Sequence, residues 1–135
     1  MKHRALLNHG KTRVIRGMLR ALIFLILILP VRLLADDPEI VNATASKSGM
    51  GWKISVTLKH PDTGWDHFAD GWEVRDMTGK VLGFRELAHP HGFNEPFTRS
   101  LSSVMIPDGV RKVQIRARCN TGEWGKQVFK LKLKH

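Results

Sequence analysis

The chain of 135 residues holds one cysteine, Cys119, so it can form no internal disulfide, and a domain of this size must be held by its apolar core alone. It also lacks a long apolar run. The stretch from Ala21 to Leu34 is shorter than the roughly 20 residues a spanning helix needs, and it contains Pro30 and Arg32. There is no phosphate-cradling glycine loop, no nucleophile elbow and no paired-cysteine zinc pattern. After residue 36 no segment keeps a helical period, and no internal repeat or low-complexity tract is seen there. These absences remove a disulfide scaffold, a mononucleotide fold and a helical bundle from consideration.

The positive charge looks at first like a signature of nucleic-acid binding: 22 Lys and Arg against 12 Asp and Glu, a formal net charge of +10. Its placement argues otherwise. Seven basic residues precede Asp36, and from there on 15 face all 12 acidic ones, a net of only +3. The front end reads as an export signal, with a basic stretch to Arg20, the apolar "ALIFLILIL" and then "PVRLLA" before the acidic "DDPE". Residues 1–35 are therefore expected to be a leader and signal peptide, and 36–135 the exported domain, periplasmic or secreted. An uncleaved anchor is the alternative, since Leu33 fits a small-x-small cleavage site poorly. Translation from Met18 would give a more compact signal.

The exported part is dominated by period-two alternation. Trp52, Ile54, Val56 and Leu58 alternate with Lys53, Ser55, Thr57 and Lys59. Val113, Ile115, Ala117 and Cys119 alternate with polar neighbours, and so do Phe129, Leu131 and Leu133. Further strands are expected over 39–45, 71–77, 80–87 and 97–106, separated by turn signals at 46–49, at Thr78-Gly79 and at 107–109. Seven short strands in about 100 residues predict an all-β, seven-stranded antiparallel β-sandwich of immunoglobulin or fibronectin type III type. Trp52 and Trp72 fall where such a core takes a large ring. Cys119 continues an inward parity and is read as a small buried apolar residue rather than a nucleophile.

"VRKVQIRARCNTGEWGKQVFKLKL" looks like the last two strands of a fibronectin type III domain. The run "GWDHFADGWEVRDMTGKVLGFRELAHPH", with "PFTRSL" and "IPDGV" after it, resembles a family of small exported bacterial proteins with an immunoglobulin-like sandwich and no established activity. The chain departs from that family in a longer segment between His-Pro-His and Pro-Phe-Thr-Arg, and in "CNTGEWGK", which lacks the histidine of the family's last loop. The resemblance implies fold and export, and no activity.

In an up-and-down strand order, alternate connections fall at alternate ends. The turns at 46–49, 78–79 and 107–109 share one end. The loops 60–70, 88–96 and 119–125 share the other, bringing Trp65, Asp66, His67, His89, His91, Glu95 and Trp124 to one rim. This rim predicts a binding or interaction module for an unknown protein or small ligand of the cell envelope, with no role in nucleic-acid binding. A second reading takes His67, His89 and His91 as ligands of copper or zinc, since His89 and His91 lie two apart on an extended chain and imidazole suits either metal. The plainer account makes those histidines polar loop residues beside an edge strand, with Pro90 blocking further pairing. Asp66 with Asp70, and Glu86 with Glu95, form no acid–base pair that the sequence places in a cleft, so no catalytic residues are assigned. The lysines of "KLKLK" at 130–134 are read as guards of an edge strand.

Overall fold

The computed structural model describes residues 36–135, so the expected leader lies outside the described residues. Seven strands follow one another with no helix among the described residues: β1 (Glu39–Ser48), β2 (Gly51–Lys59), β3 (Ala69–Arg75), β4 (Val81–Glu86), β5 (Phe97–Val104), β6 (Lys112–Cys119) and β7 (Phe129–Lys132). They form two antiparallel sheets, β1-β2-β5 and β4-β3-β6-β7. This is the expected seven-stranded β-sandwich, in the variant of the immunoglobulin-type order in which the fourth strand pairs with the third.

The alternation read from the sequence is what makes the two sheets meet. Ile54, Val56 and Leu58 of β2 and Val113, Ile115 and Ala117 of β6 all lie buried between them, as does Cys119, whose Sγ is 2.7 Å from the Thr121 hydroxyl. On the outer face of the smaller sheet the alternate positions are polar and pair across strands, Ser55 with Ser100 and Thr57 with Thr98. Trp52 and Trp72 are the largest fully buried side chains, at 1% and 0% exposure. The strand boundaries differ by a few residues from those expected. β1 runs on to Ser48 and the first turn tightens to Gly49 and Met50, while β3 starts at Ala69.

Bulges correct the parity where the sequence alone misleads. The β1–β2 register slips between Ile40 and Asn42, so Ile40 and Ala43 both reach the core. In β5 the register against β2 slips between Leu101 and Val104, where Ser103 takes φ 58°, and Gly51 lies so close that a Cβ there would stand 3.0 Å from the Ser103 backbone. The β3–β4 register slips between Val74 and Arg75, which leaves Arg85 opposite Trp72 and Phe84 opposite Glu73. Arg85 therefore takes a core-side position and Phe84 turns to the outside, a reversal that shapes the site described below.

The tight connections gather at one end as expected. Asp76 closes the β3–β4 turn by accepting from the Thr78 hydroxyl and from the Thr78 and Lys80 amides. The Thr78 hydroxyl bond above all holds its carboxyl below the usual aspartate range. The burial pattern fixes an expected ranking of three of the tryptophans. Trp52→Ala and Trp72→Ala should each cost about 3–5 kcal/mol, against within about 0.5 kcal/mol for the exposed Trp65→Ala. Denaturant midpoints at unchanged slope provide the measurement.

Candidate functional site

The three long loops meet at the other end of the sandwich, and buried polar groups hold them there. Asp62, in the β2–β3 loop, has a fully buried side chain. Its Oδ1 accepts from His60 Nδ1 at 2.5 Å and from the Ala69 amide at 3.0 Å, and its Oδ2 accepts from the His91 amide at 2.6 Å. His60 is buried as well, and its Nε2 donates to the Asp36 carbonyl at 2.8 Å. A carbonyl can only accept, so Nε2 is the donor in that bond. The 88–96 loop is joined again by the Asn94 amide to the His60 carbonyl, and by a backbone bridge between Pro61 and Phe93.

A second clasp ties in the 119–125 loop. Asn120 exchanges bonds with Phe68, its Oδ1 accepting from the Phe68 amide at 3.1 Å while its own amide donates to the Phe68 carbonyl at 2.9 Å. Its side-chain amide also donates to the Trp65 carbonyl at 2.9 Å. Trp65 is thus displayed from a fixed backbone, 69% exposed, with its ring edge-on to Phe68 at 5.8 Å. Phe93 is 66% exposed on the neighbouring loop.

The rim residues expected from the sequence have divided fates. Trp65, Asp66 and Glu95 are exposed at this end, as is His89, whereas His67 and His91 are partly covered. Trp124 leaves the rim and lies over the outer face of the larger sheet. Its ring takes the Arg116 guanidinium at 4.2 Å and the Arg118 guanidinium at 5.5 Å, with Phe84 edge-on beyond at 6.3 Å. Both arginines are held from behind, Arg116 by Glu73 at 2.6 Å and Arg118 by Asp70 at 3.1 Å, so a cation–π stack clamps the last loop to the sheet. Asp70, a member of one of the two carboxylate pairs considered in the sequence, is spent in that ion pair.

The histidine trio considered for copper or zinc is not assembled. His67 stacks with His60 at 4.7 Å, and His89 with His91 at 4.8 Å. Among the described residues no group of three or more His, Cys, Asp or Glu side chains is placed to hold a metal ion. The reason is the Asp62 node: it draws the His91 backbone and the His60 ring to itself, and the rings stand as two separate pairs.

His91 is the unusual member. Its side chain is 7% exposed and its ring lies flat on Phe97 at 3.7 Å and 4°, yet neither ring nitrogen has a hydrogen-bond partner. Asp62 Oδ2 stands 3.8 Å from its Nδ1, beyond hydrogen-bond reach. Beside it a pocket of about 290 Å³ is lined by Arg85, Glu86, Leu87, Ala88, His89, His91 and Arg99. Sequence reading named the two histidines but missed Asp62, which resembles any turn aspartate in "HPDTG". It also missed both arginines, whose inward direction depends on register.

No family profile matches the chain. Of curated proteins, it is 39% identical over 94 residues to a "Putative lipoprotein" of Halomicrobium mukohataei, an alignment covering 69% of this chain and 46% of that protein. The chain thus spans about half the length of the curated relative it matches.

Two outcomes follow from this geometry. Asp62→Ala should cost about 3–5 kcal/mol, because it strands the buried His60 ring and two buried amides. Hydrogen exchange at Ala69 and His91 should accelerate in an Asp62→Asn variant before global unfolding. The second concerns pH. Burial first, then the nearby Arg99 and His89, hold the His91 pKa below the usual 6.5, and Asp62 only partly opposes them. The unfolded chain therefore takes up a proton that the folded ring refuses. The stability tied to neutral His91 is complete above pH 6.5 and is lost as pH falls below it, down through the lower folded-state pKa. Denaturant midpoints measured across that acid range should decline more steeply for wild type than for His91→Gln.

Proposed function

We propose that this chain is an exported, envelope-associated binding module that works through the loop end of its sandwich. The observation that carries the reading is the pair of large exposed aromatics, Trp65 and Phe93, held on loops that buried hydrogen bonds fix in place. Apolar side chains on a solvated rim cost solubility, and aromatic groups on a rigid backbone lose little entropy when a partner covers them. One end of the sandwich is all tight turns and exposes methionines, Met50, Met77 and Met105, whereas the exposed aromatic pair lies at the other.

Export is supported by the basic and apolar order of residues 1–35 and by the similarity to a protein described as a lipoprotein. The periplasm is the compartment we assign. Cleavage before Asp36 would leave the contacts at the start of the sandwich intact: the Asp36 carbonyl takes the His60 ring, and Asp37 Oδ2 accepts from the Lys126 amide at 3.0 Å. Within these 135 residues a thioether-linked lipid is not the anchor, because the single cysteine is Cys119, buried on β6.

The test compares wild type with a Trp65→Ser/Phe93→Ser double variant, each expressed as the full chain, recovered from the envelope and immobilised against solubilised envelope material. Its intact mass should equal that of Asp36 to His135. A component retained by wild type should be lost from the double variant while both keep the same melting curve. Equal retention by the two proteins, or none by wild type, overturns the reading.

A further inference from the structure

We propose that the pocket between the edge strands β4 and β5 is a binding site for a small organic anion, its carboxylate or phosphate head held by Arg85, Arg99 and the ring of His91. The inference concerns the His89–His91 corner of the same loop end, but it stands on different residues from Trp65 and Phe93.

The pocket lies where the two sheets do not bond to each other. β4 ends the larger sheet and β5 ends the smaller one. Arg85 sits across from Trp72, and Arg99 across from Val56, two core residues, so each arginine occupies an inward position on its edge strand. Such positions ordinarily carry apolar side chains. Here two guanidinium groups enter one gap, and among the described residues neither has a carboxylate within ion-pair distance. Arg85 Nε is buried without a hydrogen-bond partner, and Arg99 Nη1 donates only to the neighbouring Thr98 carbonyl, at 2.8 Å. Both nitrogens of the buried His91 ring are unpartnered too.

A buried polar atom left without a partner loses its hydration with nothing in return, and natural structures rarely tolerate several in one place. An oxyanion meets these demands together. It accepts from the arginine forks in the planar geometry that carboxylate and phosphate share, and it brings a countercharge within ion-pair distance of both arginines, which Glu86 on the pocket wall does not. The wall of Leu87 and Ala88, with the stacked His91–Phe97 pair beside it, offers apolar surface to the rest of a small molecule. A volume of about 290 Å³ exceeds what a bare ion fills and stands at the low end for small-molecule sites.

Charge around His91 fits the same account. Beyond burial, which disfavours its protonation most, Arg99 and His89 oppose a proton there, Asp62 favours it from the loop side, and Arg85 and Glu86 line the pocket it borders. A bound anion would offset Arg99 and His89, so binding should raise the His91 titration midpoint and should itself tighten as pH falls through the histidine range.

The experiment titrates the protein recovered from the envelope with inorganic phosphate and, separately, with succinate, at fixed ionic strength, following the His91 ring and Arg85 Nε–H signals by NMR. At least one anion should saturate these signals with single-site behaviour, and the stronger of the two identifies the head group. Arg85→Gln and Arg99→Gln should each weaken binding about tenfold or more, while Lys130→Gln, an equal loss of charge on β7, leaves it unchanged. Arg85→Lys, which keeps the charge and loses the fork, should fall between and covers the case in which Arg85→Gln fails to fold. The Trp65→Ser/Phe93→Ser variant should bind the anion as wild type does, which separates this site from the rim surface. Absence of saturation at millimolar concentrations of both anions overturns the proposal. So does equal weakening by Lys130→Gln, the mark of unspecific charge attraction.

Discussion

The carboxylate of Asp62 is the point on which the loop end depends. A buried charge is costly unless its oxygens are fully engaged, and this one accepts from a ring at the end of β2, an amide at the start of β3 and an amide in the β4–β5 loop. Those donors belong to segments that the strand order brings together only once the sandwich has formed. The interaction therefore does little to select the fold. It fixes two of the long connections to each other, and the Asn120 clasp adds the third, so that loops otherwise free to move become a surface of fixed shape. Trp65, Phe93, His91 and the adjoining pocket all take their positions from loops tied to this node or to the second clasp at Asn120.

The two faces of the larger sheet show how polar groups are managed where no such node exists. Glu73, on the outer side of β3, is buried to 4% exposure because Phe84, Trp124 and two arginines cover that side. Gly71 makes the arrangement possible, since a Cβ there would stand 2.6 Å from the Phe84 ring. The outside of the sheet is thereby packed almost as an interior, but with charge-paired arginines as the filling. Long side chains of this kind contribute by area as much as by charge. The turn end carries no comparable layer, and its exposed methionines, Met50, Met77 and Met105, sit on or beside separate turns.

Much of this was legible from residue order. Alternation and turn signals together located the seven strands and assigned Trp52, Trp72 and Cys119 to the core, and connection parity placed the three long loops together. Each of these rests on a local period or on counting, which is why it survives without coordinates. What was not legible depended on register and on long-range pairing. Phe84 and Arg85 exchange the sides that simple hydrophobicity assigns them, because the slip between Val74 and Arg75 fixes the β4 register. Trp124 reads as a loop aromatic and yet folds back onto Arg116 and Arg118 of the preceding strand. His60 and His67 read like His89 and His91, but only the partners of Asp62 decide which ring is structural and which is left with idle nitrogens.

That last distinction carries the functional argument. His60 has an oxygen at each nitrogen and is fully used by the fold, whereas His91, almost equally buried, has none within hydrogen-bond distance and faces two unpaired arginines across a cavity. If the only demand on this corner were stability, apolar residues at positions 85 and 99 would close the sandwich edge at no electrostatic cost, as they do elsewhere along β2 and β6. Guanidinium groups on both facing edges repel each other, burial and then Arg99 disfavour a proton on the neighbouring imidazole, and Arg85 Nε is left without an acceptor, a cost that the Arg99 guanidinium over the Phe97 ring at 5.6 Å offsets only in part. An arrangement that is unfavourable for the empty protein and favourable once an oxyanion enters is what a binding site requires: the donors are held in place by Asp62 and by the sheet register before the ligand arrives, so little of the interaction energy goes into ordering them.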